Sequence, residues 1–319
     1  MAACLSLLAA CAPDKDGAAP GAETGLADDG EAMWTEPCPM GESEQRMLSV
    51  GAIELNVACR GQGPTVVLLH GFPEWHRAWV PVMDLLEEEF RLIAPDQRGY
   101  NLSDKPTEVS DYALPLLADD ITTLLGLVSD EPVIVVAHDW GGPVGWMVAH
   151  TESANIRGLV ATNGPHPVRF AQLIEEDPEQ AEAAAYMDFF RSDNAENHLT
   201  PEVMLSWLDF LSEPEQARYL EALSQPGAIT GGLNWYRANS LDQEVTAAYL
   251  DERSPVVSVP VSVLWGEDDD AVLVQNAAGL EPWVPDLEVQ TFPGVDHWIG
   301  HRIPEEVAEA IRAMDARTQ

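Results

Sequence analysis

Asp139 stands where a carboxylate can do covalent chemistry. It follows Val133-Ile134-Val135-Val136-Ala137-His138 and precedes Trp140-Gly141-Gly142-Pro143. The β-branched run reads as a strand buried on both faces. Pro143–His150 is apolar with helical character, and proline is tolerated in a first turn. Ala137, Gly141 and Gly142 are small, as a sharp strand-to-helix turn requires, because larger side chains would collide inside the bend. A carboxylate at such a turn attacks carbon and leaves an alkyl ester on the enzyme. That chemistry suits ring opening or halide displacement rather than ordinary ester or amide hydrolysis. Asp is also a favoured helix N-cap, but the paired glycines and the apolar strand argue against that simpler role.

The elements around this turn alternate. Arg46–Val50 and Ile53–Cys59, divided by Gly51, form an antiparallel hairpin at a sheet edge. Thr65–Leu69 is a buried strand running into His70-Gly71-Phe72-Pro73-Glu74, and Phe90–Ala94 is a strand ending at Asp96-Gln97-Arg98-Gly99-Tyr100. Tyr112–Leu127 has helical spacing, and Ile156–Thr162 is the strand after the Asp139 turn. Such alternation implies an α/β architecture, a mostly parallel sheet flanked by helices. From Pro165 to Glu252 helical segments dominate (Glu179–Arg191, Pro201–Leu211 and Pro214–Leu223). The sheet then resumes with Val259–Trp265 and Leu287–Phe292, and a helix over Pro304–Ala316 closes the chain. The reading is a core in two parts, 45–164 and 253–319, with a helical cap inserted over 165–252.

Of the 319 residues, 46% are hydrophobic, 54 are acidic and only 16 basic, a net charge of −38. The acidic residues are scattered, as on a solvated surface. This charge repels nucleic acid and anionic membranes and excludes nucleic-acid binding as a function. Residues 1–11 are apolar but too short to span a bilayer, and Leu8-Ala9-Ala10-Cys11 matches the lipobox of bacterial lipoprotein signals. The run lacks the basic residues that usually precede it. Lipidation at Cys11 would place the protein in the bacterial cell envelope, and Ala12 favours the outer membrane. Without that signal the protein is cytoplasmic. Residues 12–44, rich in Ala, Gly, Pro, Asp and Glu, read as a flexible tether. Cys38 and Cys59 can pair in an oxidising envelope or stay as two thiols.

Five motifs in order, His70–Glu74, Asp96–Tyr100, His138–Gly142, Asn234-Trp235-Tyr236-Arg237 and His297-Trp298, make residues 45–316 resemble the α/β-hydrolases. The resemblance is to the branch of soluble epoxide hydrolases, with haloalkane and haloacetate dehalogenases as relatives. It implies the α/β-hydrolase fold with Asp139 as nucleophile. His297, just after the last strand, falls where that fold places its catalytic base, and the nucleophile, acid, base order is met. A carboxylate must orient His297. The Gly-x-x-Asp count from Gly266 selects Asp269, whereas aligning on Ala271–Val274 shifts the role to Asp270. The resemblance makes the backbone N–H groups of Phe72 and Trp140 the oxyanion donors, and gives Phe72–Pro73 a cis bond in many relatives. His70 and His138 take shaping roles.

Leaving-group activation separates the branches. An epoxide oxygen leaves as an alkoxide and needs O–H donors, and the resemblance implies two cap tyrosines, Tyr186 and Tyr236. Haloalkane dehalogenases usually carry Asn where Phe72 stands. Haloacetate dehalogenases carry arginines after the nucleophile and a tryptophan at Tyr186. The expected activity is therefore hydrolysis of a small apolar epoxide by water, with a dehalogenase as the alternative. A cap-bearing binding protein without turnover is a third reading, which a full reacting set argues against. No cofactor or metal is implied, since the cysteines have no clustered histidine partners. Trp207, Leu208, Phe210, Leu211, Leu233 and Trp235 read as pocket walls or as packing between cap and core.

Overall fold

The computed structural model describes residues 33–151, 154–239 and 256–319. The strands are β1 (Glu44–Ser49), β2 (Glu54–Gly61), β3 (Thr65–Leu69), β4 (Arg91–Pro95), β5 (Val133–His138), β6 (Ile156–Thr162), β7 (Val261–Gly266) and β8 (Leu287–Phe292). They form one sheet in the order β1-β2-β4-β3-β5-β6-β7-β8. The β1–β2 and β2–β4 pairs are antiparallel, and all later pairs are parallel. A parallel sheet needs both faces covered, and side-chain alternation assigns the faces. Val67, Leu69, Val133, Val135 and Ala137 join one apolar cluster, which extends under the cap. Val66, Leu68, Ile134 and Val136 join the other.

Helices α1 (Val80–Leu86), α2 (Leu114–Val128) and α3 (Gly141–Thr151) belong to the first part of the core. The second cluster is closed by α1 together with the C-terminal helix, through Val82, Met83, Leu86, Val307 and Ile311. The cap contributes α4 (Pro167–Glu176), α5 (Pro178–Ala183), α6 (Tyr186–Arg191), α7 (Pro201–Leu205), α8 (Glu213–Leu223) and α9 (Ala228–Ala238). After the sheet come α10 (Ile299–Arg302) and α11 (Pro304–Thr318). The helix expected over Glu179–Arg191 is broken at Ala184–Ala185. There the bonds tighten to three-residue spacing, with Ala185 N–H donating to the Glu182 carbonyl at 3.2 Å and Met187 N–H to Ala184 at 3.0 Å. Pro201–Leu211 likewise is α-helical only to Leu205 and continues as a short 3₁₀ turn over Ser206–Leu208.

The expected tether ends earlier than its composition implies. Trp34 is 1% exposed, and its N–H donates to the Leu127 carbonyl at 2.7 Å. Arg91 extends beneath the strap, donating to the carbonyls of Glu36 and Val128 at 2.8 Å and to that of Trp34. Cys38 is disulfide-bonded to Cys59 of β2. Residues 33–43 are thus packed against the body, because one tryptophan and one cysteine supply the anchoring that their polar neighbours lack. Cys11, residues 1–32 and cap residues 240–252 lie outside the described residues. Among the described residues no helix is long and apolar enough to cross a membrane.

Candidate active site

β5 ends at His138 and α3 begins at Gly141, so Asp139 and Trp140 make the whole turn. Asp139 sits at φ +48°, an uncommon conformation for a residue with a Cβ. The bend closes with Gly142 N–H on the Asp139 carbonyl at 2.8 Å. The two glycines are sterically required. A Cβ on Gly141 would lie 2.5 Å from the Leu69 carbonyl oxygen, and one on Gly142 would press into the Gly164 backbone. Across the turn, a Cβ on Gly71 would strike the Asp139 side chain itself.

The Asp139 carboxylate is held by backbone. Phe72 N–H donates to Oδ1 at 2.6 Å, and the Trp140 backbone amide also favours the charged carboxylate. The Phe72–Pro73 bond is cis. Burial raises the pKa of Asp139 above the ordinary carboxylate value, while His297 and the two amides oppose the rise.

His297 stands between two carboxylates. Its Nδ1 lies 2.7 Å from Oδ2 of Asp269, and its Nε2 lies 3.6 Å from Oδ2 of Asp139. Asp269 follows β7 and is fixed by Ala271 and Val272 N–H on Oδ1, each at 2.9 Å, and by Asn163 Nδ2 on Oδ2 at 2.7 Å. The Asp270 side chain is exposed, so Asp269 is the carboxylate that His297 meets. Burial opposes a charged imidazole, but Asp269, Asp139 and Glu74 together raise the His297 pKa to about 9. Asp269 is lowered, because His297 and its hydrogen-bond donors outweigh its burial.

Tyr186 opens α6 and Tyr236 lies near the end of α9. Their rings are 6.3 Å apart, and the Tyr236 side chain acts on the Tyr186 hydroxyl, opposing part of its rise in pKa. The Trp140 ring meets the Tyr236 ring edge-on, 5.1 Å between centroids. Burial, then the charge of Asp139 and its neighbours, pushes both phenols far above their ordinary value. Both therefore remain O–H donors across the working pH range. Arg191 ties the two helices together by donating from Nε to the Tyr236 carbonyl at 3.0 Å. Helix α9 is pressed onto the core where Gly231 meets Gly99, contact so close that a Cβ on Gly231 would lie 2.8 Å from the Gly99 Cα.

Of the residues read as pocket walls, Trp207 faces the Phe72 and Phe190 rings. Trp235, fully buried, packs on Tyr100 and donates to the Arg98 carbonyl. Phe210 instead meets Trp298, His301 and the Arg302 guanidinium. Leu208 and Leu233 are buried and Leu211 is half-buried.

The structure adds residues that the motifs left without a part. Glu74, 1% exposed, accepts from Tyr219 of the cap at 3.1 Å and from His301 at 2.8 Å. Its Oε2 lies 3.7 Å from Nε2 of His138, whose ring stacks obliquely near His297. His138 is lowered to about 4 by burial and by His297, so it stays neutral, with Nδ1–H on the Thr162 carbonyl at 2.9 Å. Glu74 belongs to a recognisable motif, but only folding reveals its partners. Gln180 carried no signal at all. Fully buried in α5, it accepts from Leu273 N–H and donates to the Ala271 carbonyl, bracketing the loop of Asp269.

Residues 64–301 match the family described as the alpha/beta hydrolase fold. The chain belongs to that family. It is 36% identical to the AB hydrolase superfamily protein YfhM of Bacillus subtilis over 83% of this chain and 96% of the relative. It is 30% identical to epoxide hydrolase 2 of Caenorhabditis elegans, over 87% of this chain and 81% of the relative. A crystal structure of Bacillus megaterium epoxide hydrolase in complex with an inhibitor superimposes with a TM-score of 0.78. That match has 26% identity and covers 84% of this chain and 99% of the other. The protein is therefore an epoxide hydrolase-like α/β-hydrolase.

Proposed function

We propose that this α/β-hydrolase converts an epoxide to a vicinal diol through an ester on Asp139. The observation that carries this reading is the Tyr186–Tyr236 hydroxyl pair, kept protonated within electrostatic reach of Asp139. The two hydroxyls receive the epoxide oxygen. Asp139 Oδ2 attacks a ring carbon, the C–O bond breaks, and the alkoxide takes a proton from the tyrosine pair. Oδ1 becomes the ester carbonyl oxygen and remains at the Phe72 and Trp140 amides, which donate to the oxyanion when water adds. His297, oriented by Asp269, removes a proton from that water. Collapse releases the diol and regenerates the carboxylate, with the tyrosine proton restored from His297.

The test is single-turnover mass spectrometry of His297→Gln, offered styrene oxide in one tube and a short haloalkane or fluoroacetate in another. An adduct of intact epoxide mass on Asp139 is expected. An adduct only from the halide, with loss of HX, would make this a dehalogenase, and no adduct from either would favour a binding protein. We further propose that the chain is exported and tethered through Cys11 with the cap spanning 165–252. The Cys38–Cys59 bond supports export, since disulfides persist in oxidising compartments.

A further inference from the structure

Asn163 follows β6 and is wholly buried. Its backbone sits at φ +43°, a conformation open to glycine and tolerated by Asn and Asp better than by most side chains. The side-chain amide faces two partners at once. Oδ1 accepts from Gly266 N–H at 2.9 Å, at the end of β7. A backbone N–H can only donate, so this bond fixes which end of the amide is the oxygen. Nδ2 is thereby turned on Asp269 Oδ2, at 2.7 Å. His297 Nδ1 reaches that same oxygen, also at 2.7 Å.

The donors on Asp269 are thus divided. Ala271 and Val272 N–H hold Oδ1, so they fix the carboxylate without competing for the oxygen that meets the base. Asn163 does compete, because a second N–H on Oδ2 stabilises negative charge that the imidazolium would otherwise draw on. The residue type answers both demands. Glycine fits the backbone but carries no donor, and aspartate would set a second negative charge against Asp269. Close packing holds the amide in place. Gly164, next in sequence, lies against the Asp139 turn, where a Cβ on Gly142 would be 2.4 Å from the Gly164 Cα. Gly266 is as near to the loop before His297, where its Cβ would lie 2.5 Å from the Asp296 carbonyl oxygen. The titratable groups facing His297 are Asp269 after β7, Asp139 after β5, Glu74 after β3 and His138 at the end of β5. Asp269 in turn faces Tyr186 of the cap. Asn163 acts on this set through Asp269, whose charged form it favours.

We propose that Asn163 is a positioning residue that shares Asp269 Oδ2 with His297 and so limits the carboxylate's hold on the proton of the base. More of the imidazole is then free to take a proton from water. The role rests on His297 being the base of the epoxide reading, and its test separates the two. Asn163→Gly keeps the backbone conformation and removes the donor, whereas Asn163→Ala removes the donor and adds backbone strain. Both leave Gly266 N–H without its acceptor and should unfold at lower temperature, so each is measured where it is folded. In NMR titrations of the free proteins, the His297 midpoint should rise by about one pH unit in both variants, the worth of one hydrogen bond to a charged group. A midpoint that stays, falls or moves only in Asn163→Ala would overturn the role and leave Asn163 as packing. In single turnovers of styrene oxide at pH 7, the ester should form at the wild-type rate and decay about tenfold more slowly. The difference should close as pH rises. A loss equal at every pH, or one shared by ester formation, would also overturn the role. A raised midpoint in a protein that turns over no epoxide would support the part played by Asn163 and sink the epoxide reading.

Discussion

His297 Nε2 faces Asp139 Oδ2 across 3.6 Å, on the side of the carboxylate opposite the Phe72 amide. The imidazole's proton affinity is therefore tied to the charge of the proposed nucleophile. In the free enzyme Asp139 helps to hold His297 at about 9, where it is protonated at neutral pH and useless as a base. Esterification removes that negative charge, and the His297 pKa must fall. In the proposed mechanism, formation of the ester would thus prepare the base that hydrolyses it. Asp139→Asn mimics the neutral ester, so in an NMR titration its His297 should ionise clearly below the wild-type value. Identical titration in both proteins would show that Asp269 alone sets the base.

The same shift predicts how stability responds to alkali. A histidine raised from 6.5 to about 9 on folding binds its proton more tightly in the native state. Its contribution is fully present below pH 6.5 and disappears as pH rises through about 9. Thermal unfolding of the wild type should therefore show a falling Tm across this window. The slope should be shallower in His297→Gln, and parallel curves would contradict the linkage.

Tyr186 and Tyr236 should matter in the alkylation step rather than in ester hydrolysis. A hydrogen bond to developing charge contributes about 1.5–3 kcal/mol, so each Tyr→Phe change should slow alkylation by about tenfold to a hundredfold. Removing both should cost more than either alone. Stopped-flow tryptophan quenching resolves this step. Loss confined to hydrolysis of a preformed ester would reverse the assignment.

What the chain made legible, and what it hid, follows from the range of the forces involved. The Asp139 turn is encoded locally, in a β-branched run and two glycines that sterics demand. The strands from β3 to β7 were legible as apolar runs of the kind a parallel sheet buries on both faces, although their order was not. Gln180 was invisible because its importance comes from meeting the Asp269 loop across 91 residues of chain, and a polar residue in a polar segment carries no periodic mark. Asp269 and Asp270 looked alike for the same reason, since only Asn163, Ala271 and Val272 distinguish them. Trp34 was averaged away inside a disorder-like composition, although its buried ring, with the Cys38–Cys59 bond and Arg91, anchors its segment.

The strap offers a separate test. Cys38 and Cys59 are 21 residues apart, and closing a loop of that size stabilises by about 3 kcal/mol in the chain-entropy treatment. Cys38→Ser with Cys59→Ser should lower Tm by several degrees. Activity at low temperature should survive, because none of the reacting groups touches the strap. Unchanged Tm in the double variant would mean that Trp34 and Arg91 alone hold the segment.

Gln180 is the point where the cap grips the loop that carries Asp269. Its Oε1 accepts from Leu273 N–H at 2.9 Å and Asn276 Nδ2 at 2.7 Å, and its Nε2 donates to the Ala271 carbonyl at 3.0 Å. Gln180→Leu keeps the volume but strands the Leu273 N–H and the Ala271 carbonyl in a buried site. Each orphaned group costs about 1–3 kcal/mol, so a loss of about 3 kcal/mol is expected. Ala271 N–H also holds Asp269 Oδ1, so a loosened loop should reduce kcat as well, at temperatures where the variant is fully folded. Gln180→Glu retains the acceptor oxygen but loses the donor and adds a buried charge, and should also destabilise. If Gln180→Leu unfolded at the wild-type temperature, the bracket would be incidental and the cap would be held by its apolar face alone.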